Sequence, residues 1–157
     1  MLLSLLLSSQ IADAANVLII YDSLSSNTTS LQSFLNSNGH TADLSSTVES
    51  QYNGSNPSLS SYDVVLHFNG DSYSSPMPSG GQSALVNFVN AGGGYIGTEW
   101  LSYEESSHTT MLDLILLDRS SGSTNQTTWT VASGQASHPV LQYISGSSVT
   151  DEQPIIS

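Results

Sequence analysis

The sequence predicts a doubly wound α/β domain, in which a mostly parallel sheet carries helices on both faces. Three observations predict it. Val17-Leu18-Ile19-Ile20-Tyr21 is an unbroken apolar run of the kind that a strand buried on both sides requires. Tyr62-Asp63-Val64-Val65-Leu66-His67-Phe68 is a second such run. Leu85, Val86, Phe88 and Val89 then share one helical face, and Asn90-Ala91-Gly92-Gly93-Gly94 separates them from a third apolar stretch, Tyr95-Ile96-Gly97. Strands alternating with helical patterns in this order call for parallel pairing.

Met1 to Ala15 looks like a secretory signal, with Leu2, Leu3, Leu5, Leu6 and Leu7 ahead of the small residues Ala12, Ala14 and Ala15. The run is too short to span a bilayer. The alternative is an amphipathic first helix that is retained and packs between subunits. Residues 16–157 form a single domain, beginning with the first central strand at Val17–Tyr21. Asp22-Ser23 follows at that strand's carboxyl end. Asn27-Thr28-Thr29 offers a helix cap, and Leu31, Phe34 and Leu35 give the helix its apolar face up to Asn38-Gly39. His40–Leu44 reads as a weaker second strand. Ser45–Ser61 is polar, with turn signals at Asn53-Gly54 and Asn56-Pro57.

The third strand is Tyr62–Phe68, ended by Asn69-Gly70. Ser72–Gly81 is expected as a loop leading into a helix over Ser83–Asn90. Tyr95-Ile96-Gly97 is expected as a buried parallel strand, handing over to Thr98-Glu99-Trp100. Met111–Leu117 fits a helix or a strand, and Thr127–Val131 is strand-like. The pattern at Ile155-Ile156-Ser157 leaves open a small complete domain or a fragment of a longer polypeptide.

Composition narrows the function. Only 9% of residues are charged, yet the net charge is −12, because Arg119 is the sole lysine or arginine. Nucleic acid is excluded as a partner, since counterion release needs many cationic side chains. Anionic membrane surfaces are disfavoured for the same reason. Serine and threonine make up over a quarter of the chain, an uncharged hydroxyl-rich surface typical of secreted proteins. With no cysteine, there is no disulfide, thiolate nucleophile or cysteine-ligated metal.

Four stretches in order, VLIIYDS, SSYDVVLHFNG, LVNFVNAGGGYIGTEW and SHPVLQYISGSSVTDEQ, resemble the trehalose-utilisation (ThuA-like) family of the class I glutamine amidotransferase-like superfamily. The likeness covers roughly residues 16 to 152. It implies a flavodoxin-like fold whose turn after Tyr95-Ile96-Gly97 is the equivalent of the nucleophile elbow. Amidotransferases of that superfamily carry a cysteine there, so this chain cannot hydrolyse glutamine by that route. Glu99 stands where ThuA-like proteins usually show a histidine, and His138 matches a His-Pro of the family. The resemblance makes Glu99 and His138 the acid–base pair if the chain is an enzyme.

The residues also allow plainer roles. Glu99, Trp100 and Glu104 fall at the carboxyl edge of the sheet, where open α/β sheets bind ligands. Trp100 either stacks on a sugar ring or belongs to the core, and Glu99 either serves a site or caps a helix. Asp22 is a candidate ligand-binding carboxylate or a turn former. His67, inside an apolar strand, reads as a satisfied core histidine, and His40 as a solvated turn residue. Glu104, Glu105 and His108 suit a metal only on one helical turn, which their neighbours disfavour, so neither metal nor cofactor is expected. Asn27, Asn53 and Asn125 open N-glycosylation patterns.

Two functions of different class follow. One is a secreted, non-catalytic module used for self-assembly, adhesion or glycan display, with copies of itself as partners. The other is a carbohydrate-active enzyme using Glu99 and His138.

Overall fold

The computed structural model describes residues 13–70, 72, 75–98, 101, 105–115, 127–130 and 148–151. Four parallel strands form its sheet, in the order β2-β1-β3-β4: β1 Asn16–Tyr21, β2 Thr41–Leu44, β3 Val64–Phe68 and β4 Gly94–Gly97. Helix α1 spans Ser26–Ser37 and α2 spans Ser79–Asn90. A separate antiparallel pair joins β5 Thr127–Thr130 to β6 Ser148–Asp151. The doubly wound, flavodoxin-like α/β arrangement is therefore present, with β1 at its centre.

Alternation along β1 builds both faces. Leu18 and Ile20 point to one side, against Val65, Leu85, Met77, Met111 and Tyr52. Val17 and Ile19 point to the other, against Ala42 and the α1 residues Leu31 and Leu35. Leu18, Ile19 and Ile20 are completely buried, each contributing ~1.5–3 kcal/mol of transfer free energy. The continuous apolar run is explained by this two-sided burial.

Both helices end in the same way. After α1, Gly39 takes φ +89°, its N–H reaches Asn36 O, and His40 N–H reaches Leu35 O. After α2, Gly92 takes φ +99°, its N–H reaches Val89 O, and Gly93 N–H reaches Phe88 O. These paired reversals satisfy carbonyls that the helix leaves open, and the left-handed residue is glycine in each case. The predicted stops at Asn38-Gly39 and at the triple glycine are both found.

Several boundaries differ from expectation. The cap of α1 is Ser25, whose Oγ accepts from Thr28 N–H while Thr28 Oγ1 accepts from Ser25 N–H. The predicted cap, Asn27-Thr28-Thr29, lies inside the first turn, because a reciprocal capping box places Thr three residues after the cap. Phe34 is 62% exposed, because Leu31 and Leu35 already cover the sheet. Helix α2 begins at Ser79, within the expected loop. Gly80 and Gly81 enter its first turn because a side chain at Gly81 would run into the Tyr52 carbonyl.

β4 is parallel as predicted, but it lies at the end of the four-stranded sheet with Ile96 56% exposed. It is short and apolar without being buried. Met111–Leu117 is neither helix nor strand where described: Leu112–Leu114 is a single 3-10 turn that seats Met111 in the core. No helix among the described residues is long and apolar enough to cross a membrane.

Candidate functional site

The polar groups that the fold gathers lie at the carboxyl edge of the sheet. β3 ends with His67 and Phe68, followed by Asn69, and β4 ends beside them, since Thr98 N–H bonds to His67 O. Thr98 Oγ1 accepts from Asn69 N–H at 3.0 Å and donates to Asn69 O at 2.7 Å, locking the two strand ends together. Into this edge the polar segment after β2 inserts Glu49, the first residue of a 3-10 turn over Glu49–Gln51. Tyr52 anchors that turn, with its ring in the core and its hydroxyl donating to Pro57 O at 2.9 Å.

Glu49 is 1% exposed and lies between two buried imidazoles. Its Oε1 is 3.0 Å from His67 Nε2 and 3.2 Å from His108 Nε2. The His67 contact is short but off the N–H direction, so it is a close polar approach rather than a straight hydrogen bond. Oε2 accepts from Asn69 Nδ2 at 2.8 Å. Burial by itself would raise the Glu49 carboxyl; the pull of the adjoining His108 and His67 imidazoles on its ionised form outweighs it and holds the group down at about 2. Glu49 is thus a carboxylate, an acceptor to every neighbour.

The network continues outward. His67 Nδ1 lies 2.9 Å from the Tyr95 hydroxyl, and the two rings meet edge to face at 6.2 Å. With Nε2 facing the carboxylate, Nδ1 is the acceptor and Tyr95 the donor. Burial and the Glu49 charge push the Tyr95 phenol well above its ordinary range, keeping that donor protonated. On the other side, Gln82 binds the segment that carries His108. Its Nε2 donates to Met77 O at 2.7 Å and Ser107 O at 3.3 Å, and its Oε1 accepts from Thr110 N–H at 3.0 Å.

Other described candidates fall elsewhere. Asp22 Oδ2 accepts from the backbone N–H groups of Gly70 and Ser72, so it ties the end of β1 to the end of β3 as a turn former does. His40, expected to be solvated, is half-buried, with Nδ1 accepting from Ala15 N–H at 3.3 Å. It lies over the start of β1 because the Gly39 reversal folds the chain back there. His67 is a core histidine as expected, but only Nδ1 is hydrogen-bonded, to Tyr95; Nε2 has just the close approach of Glu49. His108, grouped in sequence with Glu104 and Glu105, instead turns inward to Glu49. Among the described residues, no group of three or more histidines, cysteines or acidic residues is arranged to hold a metal ion.

Asn27 and Asn53 are exposed, and Asn53 Oδ1 is engaged by Ser55 N–H. Glu99, Trp100, Glu104, Asn125 and His138 lie outside the described residues. An open groove of about 400 Å³, lined by Leu59, Tyr62, Asp63, Phe88 and Gly93 among others, lies at the opposite edge of the sheet. Asp63 and Gly93 directly precede β3 and β4 there, so the groove shares no group with Glu49.

Glu49 escaped the sequence reading because it sits in a polar stretch where a carboxylate is unremarkable. The only local signal is Tyr52 and Leu59, large apolar residues that mark the stretch as one packed on the core. Comparison of the chain with family models, curated proteins and solved structures gives no match.

Proposed function

We propose that this chain is a secreted, non-catalytic module on an amidotransferase-like scaffold related to the ThuA-like family, used structurally and assembling with copies of itself. The observation that carries this reading is the enclosure of Glu49. Its two oxygens face His67, His108 and Asn69, three groups that are themselves buried. General acid–base work needs a group within about 3 Å of a substrate atom or of a bridging water. Here the described carboxylate and imidazoles at the strand ends serve one another and hold three parts of the chain together.

The remaining support is chemical. The chain has no thiol to act as nucleophile, and its surface is rich in hydroxyls. Exposed Asn27 and Asn53 offer attachment points for glycans if the chain passes through a glycosylating secretory route. Self-assembly must overcome a net charge of −12, so divalent cations are expected to promote it.

The test is the size distribution of the purified protein lacking residues 1–15, followed by light scattering and electron microscopy over a range of concentration and calcium. Assembly that grows with both is the expected result. A protein that stays monomeric under every condition overturns the proposal, as does turnover of a glycoside by a preparation free of contaminants.

A further inference from the structure

β2 is an end strand of the four-stranded sheet, and its outer edge carries an unusual cover. On its inner side, Thr41 N–H and Ser45 N–H bond to Ala15 O and Ile19 O, both at 2.9 Å. Ala42 lies between these positions, so its backbone N–H and C=O point the other way, to the open edge. Both are taken up by α1. Asn36 Oδ1 accepts from Ala42 N–H at 2.9 Å. Gln32 Nε2 donates to Ala42 O at 2.9 Å, and Asn36 Nδ2 adds a longer contact of 3.4 Å. A carboxamide presents the same donor and acceptor as a peptide group. Asn36 therefore occupies the place that a neighbouring strand's backbone would take.

We propose that Asn36 and Gln32 guard the β2 edge, and that what they exclude is an extended strand from a second copy of this chain. An open strand edge is a template for pairing, and proteins usually blunt it with lysine, proline or a bulge. This chain has no lysine, and β2, Thr41-Ala42-Asp43-Leu44, has no proline and one charge, Asp43, whose carboxylate accepts from the Tyr62 hydroxyl. Its ladder to β1 runs in regular register from Thr41 to Leu44, without a bulge. Two amides one helical turn apart converge on Ala42, one of the two β2 residues (with Leu44) whose backbone groups face outward, which side chains serving only to end a helix would not do. A second copy is the occupant because every copy carries the same strand edge, with Thr41 and Asp43 exposed along it. The inference stands on this geometry whether or not the chain is a structural module.

The experiment compares the full chain with a Gln32→Ala/Asn36→Ala variant, and with the same variant carrying Ala42→Pro. Light scattering reads mass, and amide exchange reads Ala42. The double variant is expected to exchange at Ala42 about tenfold faster when dilute. At higher concentration its mass should rise from 16.6 kDa to at least twice that value. Ala42→Pro removes the outward N–H and should return it to the mass of the parent chain.

Faster exchange with unchanged mass overturns the proposal, because the amides would then be a cap and not a guard. Assembly that survives Ala42→Pro overturns it as well, since another surface would be responsible. If the parent chain assembles by itself, that assembly must be indifferent to Ala42→Pro; its loss would mean the edge is already in use. Should the double variant lose its far-ultraviolet spectrum, Asn36→Ala alone, which keeps Gln32 on the carbonyl, serves for the same comparison.

Discussion

Replacing Glu49 by glutamine keeps the shape of the side chain and removes its charge. In the native protein the carboxyl is held at about 2 against an ordinary value of 4.5. A displacement of that size is worth about 3 kcal/mol of stability at neutral pH. Glutamine offers one acceptor oxygen where the carboxylate offered two, and its NH2 must then face a donor, either Asn69 Nδ2 or an imidazole N–H. We expect Glu49→Gln to lose about 2–4 kcal/mol at pH 7 by urea unfolding, with a melting temperature lower by roughly 6–12 °C.

The pH dependence supplies the sharper test. A carboxyl whose folded value is lowered stabilises fully above its unfolded value and loses that contribution as pH falls toward the folded value. The gap between parent and variant should therefore be constant above about pH 5 and close steadily from 4.5 toward 2. Taking the difference between the two proteins cancels the other carboxylates. A loss below ~1 kcal/mol at pH 7, or a gap that stays constant down to pH 3, would refute the buried, ionised carboxylate on which the argument rests.

Other outcomes follow from the same packing. Ser25→Ala removes one half of the α1 capping box and should cost about 1 kcal/mol in urea unfolding, with little change in the slope. Gly81→Ala should cost roughly 1–3 kcal/mol, because the new methyl meets the Tyr52 carbonyl and Met77. Gly39→Ala, which meets nothing within 4 Å, should show only the milder backbone cost of its positive φ. Leu18→Ala, in a fully buried position at the centre of the sheet, should lose about 2–5 kcal/mol by the same assay. Spectrophotometric titration should find the Tyr52 phenol pushed up by burial to about 12, and Tyr52→Phe should remove that step.

Much of the fold was legible from local residues. The strand over Val17–Tyr21 follows from a run that only two-sided burial explains, and each helix stop follows from a glycine placed where the chain must turn left-handed. These features depend on residues adjacent in sequence, so composition and spacing carry them. Edge and centre were not so readable. Tyr95-Ile96 looks as buried as Ile19-Ile20, because a short apolar run says nothing about whether a further strand flanks it. Glu49 illustrates the same limit at the site. It is separated from Asn69 by 20 residues and from His108 by 59, and neither interval carries a recognisable period.

The sequence alone therefore determined the class of the domain, the places where helices end, and the want of any thiol. Tertiary structure alone decided which polar groups meet: Glu49 with His67 and His108, Gln82 with the His108 segment, and Asn36 with the edge of β2. The physical reason is range. Backbone conformation and burial pattern respond to neighbours within a few residues, whereas buried polar groups must be satisfied by whatever partner the folded chain brings near. That partner is chosen by topology, through contacts whose spacing along the chain leaves no periodic mark.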